Sequence, residues 1–185
     1  MDAEPVDNVV LTVATSNTEV TVSPLTLTFT SGNWDSDQTV TVTAVDDDVD
    51  DGDLTTKITV SVDEDNSDDD FDGKSASVNV TTADDDVKAI VISGYIDNEI
   101  SETGGTDTTT FNVALATEPT GNVTVTAQSE DLTEVVVTGS ATLTFTPSNW
   151  DVTQVVTLNA VDDDFDDDNI TTTIRLTASG SDYDS

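Results

Sequence analysis

Leu25-Thr26-Leu27-Thr28-Phe29-Thr30-Ser31-Gly32-Asn33-Trp34-Asp35 returns 116 residues later as Ala141-Thr142-Leu143-Thr144-Phe145-Thr146-Pro147-Ser148-Asn149-Trp150-Asp151. Each copy opens with apolar residues alternating with Thr, the period-two pattern of a strand with one face buried. Each closes on small polar residues that favour a turn. The match extends on both sides. Val40, Val42 and Ala44 correspond to Val156, Leu158 and Ala160, and Ile58, Val60 and Val62 to Ile174, Leu176 and Ala178. Upstream, Glu4-Pro5 and Asn8-Val9 correspond to Glu118-Pro119 and Asn122-Val123, and downstream Asp70-Phe71-Asp72 resembles Asp182-Tyr183-Asp184. Short alternating runs between Asp/Gly/Asn/Ser turns predict an all-β chain of tandem Greek-key β-sandwich modules. Helical periodicity is nowhere convincing. Trp34 and Trp150 are expected as core or core-edge packing residues at the start of a strand.

The two copies are out of phase. Residues 89–117, with the strand-like run Thr110-Phe111-Asn112-Val113-Ala114-Leu115, have no counterpart in the first copy. Ser75-Ala76-Ser77-Val78-Asn79-Val80-Thr81, closed by Asp84-Asp85-Asp86, has none in the second. The expectation is two incomplete modules, 1–86 lacking its N-terminal strand segment and 87–185 lacking its C-terminal strand, within a longer array.

Acidic side chains outnumber basic ones 39 to 4, and the formal charge is −35. Such a chain does not bind nucleic acid or insert into an anionic membrane. Asp supplies 31 of the acids, and 21 of these lie in the runs 46–53, 63–72, 84–86 and 162–168. General surface acidity would spread the charge more evenly. Val45 is followed by six Asp in eight positions, as is Val161. Carboxylates crowded in this way repel one another unless a cation sits among them. The only basic side chains are Lys57, Lys74, Lys88 and Arg175. A hard divalent ion is the simplest remedy, and Ca²⁺ accepts six to eight flexible oxygen ligands. Consecutive Asp on an extended strand point to opposite faces, so clustered ions sharing carboxylates are more plausible than one isolated ion. The run Asp63–Asp70 reads instead as a solvated loop.

Other chemistries find little support. His and Cys are both absent, which removes the common nucleophile–base pairs and the usual zinc ligands. The chain is therefore expected not to be an enzyme. An EF-hand loop begun at Asp46 would need Gly sixth and Glu twelfth, and the chain has Asp51 and Lys57 there. No 18-residue apolar segment and no signal peptide is evident.

The order Ile100-Ser101-Glu102-Thr103-Gly104-Gly105-Thr106, Phe111-Asn112-Val113-Ala114-Leu115, Leu143–Trp150, Val161-Asp162-Asp163-Asp164 and the closing Ala83-Asp84-Asp85-Asp86 resembles the Calx-β-type repeat. Such repeats occur in sodium–calcium exchangers and in long arrays of bacterial surface proteins and adhesins. The resemblance covers nearly the whole chain as two incomplete modules, and the Asn-Trp segment is more typical of the bacterial arrays. It implies an immunoglobulin-like β-sandwich with Ca²⁺ at one end. It also implies ligands from an early Glu, from the acidic loop between two late strands, and from the terminal acidic triplet. Those positions are Glu102; Asp46, Asp47, Asp48, Asp50, Asp51 and Asp53; Asp162, Asp163, Asp164, Asp166, Asp167 and Asp168; and Asp84, Asp85 and Asp86. The first module lacks the early Glu and the second the triplet, so neither holds a complete set.

The resulting expectation is a calcium-binding structural repeat, extracellular or at a bacterial cell surface. Ca²⁺ would rigidify neighbouring modules as an adhesin stalk or spacer. A regulatory Ca²⁺ sensor and a glycan-binding accessory module of a secreted enzyme are the alternatives. The second of these would need an exposed aromatic platform, and the chain has two Trp and two Tyr.

Overall fold

The computed structural model describes residues 3–94, 99–104, 107–165, 168–181 and 183–184. The protein is all-β and antiparallel throughout. The chain divides into two compact units, Met1–Asp47 with Asp51–Asp85, and Asp48–Asp50 with Asp86–Ser185.

The first unit contains β1 (Val9–Thr15), β2 (Val20–Ser23), β3 (Thr26–Phe29), β4 (Thr41–Ala44), β5 (Leu54–Val62) and β6 (Ser75–Thr82). Four of them form one sheet in the order β3-β1-β5-β6, and β2 pairs with β4 separately. Alternation decides which side chains face inward: Val9 and Val13 of β1, and Leu27 and Phe29 of β3, are buried, while the Thr residues between those of β3 are exposed. The buried cluster is small, comprising Val9, Leu27 and Phe29 with Leu11, Val40, Val62 and Phe71 packed partly against it.

The second unit adds β7 (Ile90–Ser93) and β8 (Thr108–Leu115) ahead of β9 (Val123–Ser129), β10 (Val135–Thr138), β11 (Thr142–Phe145), β12 (Gln154–Ala160) and β13 (Ile174–Ser179). Its sheets run β10-β12-β8-β7 and β11-β9-β13. Both contribute to one core, with eleven buried residues among those described. Phe111, Val113, Leu115 and Val156 come from the first sheet, and Val123, Val125, Leu143 and Phe145 are among those from the second. Each such side chain contributes about 1.5–3 kcal/mol on burial, so this core is the main store of stability.

The repeated Asn-Trp segment forms the same turn twice. Asn33 Oδ1 accepts the Thr30 N–H at 2.6 Å and the Thr30 hydroxyl at 3.1 Å. Asn149 Oδ1 accepts the Thr146 N–H at 2.6 Å and its hydroxyl at 2.9 Å. Gln38 Nε2 donates to Thr28 O and Gln154 Nε2 to Thr144 O, both at 2.8 Å. A short side-chain amide satisfies backbone groups that no strand partner reaches. Trp34 is half-buried and Trp150 packs partly on the core, but both lie in the turn rather than at the start of a strand, since β4 begins at Thr41 and β12 at Gln154.

The Asp63–Asp70 run, expected as a solvated loop, is largely exposed but ordered. It makes two single 3₁₀ turns, Glu64–Asn66 and Asp69–Phe71. The Asp68 carboxylate accepts N–H groups from Val6 at 2.8 Å, Asp7 at 3.2 Å and Asp70 at 3.0 Å. Those three donors are the reason Asp68 is held below its ordinary carboxylate pKa, the Asp70 N–H foremost. One carboxylate of this run is thus a fastener for the segment that leads into β1.

Candidate metal centre

In the first unit the acidic loop leaves β4 beside Glu19, the residue before β2. The β2–β4 register pairs Val20 with Ala44, and one step further the Val45 N–H donates to Glu19 O at 2.9 Å. Partial desolvation, then the like charges of Asp51, Asp47 and Asp84, hold the Glu19 carboxyl above its ordinary pKa. Four acids therefore share one end of this unit. The loop is closed reciprocally: Gly52 N–H donates to Asp84 Oδ2 at 2.6 Å, and Asp84 N–H donates to Asp53 Oδ1 at 3.1 Å. Gly52 adopts φ +78°, the left-handed conformation glycine reaches without a Cβ penalty. That turn carries the run of Asp back toward Asp84.

The second unit repeats the entrance. Val135 pairs with Ala160, and the Val161 N–H donates to Glu134 O at 2.9 Å. Glu134 thus stands to Asp162 as Glu19 stands to Asp46. Asp163 Oδ1 accepts the Phe165 N–H at 2.8 Å. Asp168, the counterpart of Gly52, takes φ +65°, a conformation Asp tolerates better than most residues. Both loops therefore curl at the same position. Asp107 O accepts the Ala160 N–H at 3.2 Å, and its carboxylate accepts the Ser101 N–H at 2.8 Å. This ties the segment holding half-buried Glu102 to the end of β12, where the acidic loop begins.

The remaining expected ligands are distributed as follows. Asp46, Asp85, Asp162 and Asp164 are exposed, and Asp86 is half-buried. Asp48 and Asp50 group with the second unit. Asp48 O accepts the Glu118 N–H at 2.7 Å. Asp50 is engaged by Lys88, whose N–H donates to Asp50 Oδ2 at 2.9 Å, and whose ammonium lies 2.6 Å from Asp50 O and 3.5 Å from Oδ1. Asp166 and Asp167 lie outside the described residues.

Glu19 and Glu134 were not among the sequence-derived candidates. Their signal is Thr18-Glu19-Val20 recurring as Thr133-Glu134-Val135, a charge placed one residue before a strand. The donor set is made of carboxylate oxygens, without the imidazole or thiolate that zinc favours, and so suits a hard cation. Among the described residues, no three acidic side chains already converge closely enough to grip an ion. No helix among them is long and apolar enough to cross a membrane. No family model matches the chain, and no curated protein matches it.

Proposed function

We propose that each unit binds Ca²⁺ at the end where the acidic loop leaves the sheet. On this reading the chain is a calcium-stiffened segment of an extracellular array of immunoglobulin-like, Calx-β-like modules. The ligands in the first unit are Glu19, Asp47, Asp51 and Asp84, with Asp53 fixing the loop. In the second they are Glu134 and the loop 162–168, with Glu102 brought in through Asp107. The observation that carries this reading is the closing of the acidic loop on Asp84, through Gly52 N–H to Asp84 Oδ2 at 2.6 Å and Asp84 N–H to Asp53 Oδ1 at 3.1 Å. Beside it, desolvation, and then the charges of Asp51, Asp47 and Asp84, hold the Glu19 carboxyl above its ordinary pKa. A carboxylate repelled in this way is relieved by an ion that draws the four oxygens inward.

The role is structural rather than catalytic. Ca²⁺ that binds the folded form alone stabilises it by about 2.7 kcal/mol per site at a hundredfold excess over Kd. An array would then be stiff in calcium-rich surroundings, as a stalk or spacer carrying an adhesive partner requires. Scanning calorimetry of the chain in Ca²⁺, in Mg²⁺ and in excess chelator tests it. A rise in melting temperature specific to Ca²⁺ is expected, and identical traces in all three would refute the reading.

A further inference from the structure

The dipeptide Asp-Gly occurs twice in the chain, as Asp51-Gly52 and Asp72-Gly73. In such a pair the backbone nitrogen after the aspartate has no side chain beside it, so it can approach the aspartate's own carboxyl carbon. Both glycine N–H groups are already engaged by a carboxylate from another segment. Gly52 donates to Asp84 Oδ2 at 2.6 Å, and Gly73 donates to Glu64 Oε1 at 3.0 Å. The hold on Gly73 is the longer of the two.

Asp72 and Gly73 are the central residues of a type II turn. Asp72 has φ −54° and ψ 146°, Gly73 has φ +71°, and the Lys74 N–H donates to Phe71 O at 3.3 Å, the geometry of that turn. Both residues are exposed, and a Cβ at position 73 would meet nothing within 4 Å. A five-membered ring through Asp72 Cγ and Gly73 N needs the Cα–Cβ and C–N bonds of Asp72 to eclipse. At ψ 146° they stand roughly a quarter-turn apart. Flipping the 72–73 peptide, the motion that turns type II into type I, carries the nitrogen through that position in one of its two senses. The Glu64 carboxylate holds the N–H in the unflipped orientation. The carboxyl itself is disposed to react. Desolvation, then the charges of Glu64, Asp69 and Asp68, hold Asp72 above its ordinary pKa, and the protonated form reacts because its oxygen leaves as water.

We propose that Asp72-Gly73 is a site of spontaneous isoaspartate formation, and that Glu64 is the latch that sets its rate. Gly73 N bonds to Asp72 Cγ, and the carboxyl OH leaves as water with the amide hydrogen, giving a succinimide. Water then adds back at one of the two ring carbonyls. Cleavage of the Cγ–N bond restores aspartate. Cleavage between the Asp72 carbonyl carbon and Gly73 N leaves the chain running through Cβ and Cγ and frees an α-carboxylate. No oxidant, cofactor or enzyme takes part, and the mass is unchanged. The added main-chain carbon falls between Phe71, which packs on the Val9, Leu27 and Phe29 cluster, and Lys74, whose carbonyl accepts the Val62 N–H at 3.0 Å. Modification therefore loosens the joint between the 63–72 segment and β6. Asp68, which fastens the backbone ahead of β1, lies in the same segment. Asp51-Gly52, with its shorter hold, is the slower pair.

The test ages the full chain for weeks at mildly acidic pH in excess chelator, which keeps the outcome independent of any bound calcium. Digestion with a protease that cuts before aspartate but not before isoaspartate, followed by mass spectrometry, counts isoaspartate at each position. Two variants separate the latch from the charge of Glu64. Glu64→Gln keeps an acceptor oxygen and Glu64→Ala does not, and both lack the negative charge. In the unaltered chain, isoaspartate is expected at Asp72 ahead of Asp51. Glu64→Ala is expected to form it at Asp72 about fivefold faster than Glu64→Gln, the effect of losing one hydrogen bond, with Asp51 unchanged. No isoaspartate at Asp72 above the level of the other Asp residues would overturn the proposal, as would Asp51 matching Asp72. Equal rates in the two variants would overturn the role of Glu64. So would a rise at both pairs in Glu64→Ala, because general opening of the unit would then be the cause.

Discussion

Leu27 and Phe29 face Leu11 and Val9 across the β1–β3 ladder as Leu143 and Phe145 face Val125 and Val123 across β9–β11. The local sequence is nearly the same and the Asn-held turn that follows is the same. Yet, among the described residues, Phe145 belongs to a cluster of eleven buried residues and Phe29 to a cluster of three. The alternation of a strand decides which side chains share a face. How deeply they are buried depends on what lies over that face, and in the first unit β4 contributes no buried residue at all. Identical strands therefore have unequal energetic weight.

The comparison is broken most directly by truncating the two phenylalanines. Phe145→Ala is expected to cost about 3–5 kcal/mol, and Phe29→Ala about 1–3 kcal/mol, because fewer neighbouring atoms are lost around it. Urea unfolding of each variant measures this, and equal costs would mean that the first core is as closed as the second. Next comes calcium. Asp46→Ala with Asp47→Ala is expected to remove most of the Ca²⁺-dependent stabilisation of the first unit, of order 2–3 kcal/mol at saturating ion. Asp68→Ala with Asp69→Ala should lower the melting temperature with or without Ca²⁺ and leave the increment intact, since Asp68 fastens backbone N–H groups. Asn33→Ala and Asn149→Ala sharpen the comparison from the other side. Each loses the same turn, at about 1 kcal/mol, and a clear inequality would show that the turns draw on their surroundings.

The smallest expected effect is in pH dependence. The Glu19 carboxyl is held above its ordinary pKa, so the folded first unit binds that proton more tightly than the unfolded chain. The resulting stability is present below the ordinary glutamate range and lost as pH rises through the raised value. Asp68 is held below its ordinary value, so its contribution is present at neutral pH and lost as pH falls through the lowered value. Glu19→Gln should flatten the first trend and Asp68→Asn the second. Urea midpoints between about pH 3 and 7 without Ca²⁺ read both.

Strand positions were legible because Thr–apolar alternation is strong and recurs. The exposure of β4 was not. Val40, Val42 and Ala44 carry the same pattern as Val156, Leu158 and Ala160, and a strand's own sequence does not record whether a neighbour lies against it. The acidic loops were legible as runs. Glu19 and Glu134 were masked because a single Glu before a Val-rich strand resembles an ordinary solvated residue. Their place is set by the β2–β4 and β10–β12 registers, which are non-local. The fastening role of Asp68 was not legible for a related reason: composition reveals its charge, whereas its work depends on backbone donors 61 and 62 residues away.

The Asn-held turn has one more consequence. It places an indole at the same position in each unit, Trp34 in one and Trp150 in the other, and these are the two tryptophans of the chain. The repeat has therefore given each unit its own fluorophore in the same turn, with Trp150 packed on its core. Replacing either one with Phe leaves a single emitter whose colour follows the opening of its own unit. Two overlapping transitions become separately visible without any label.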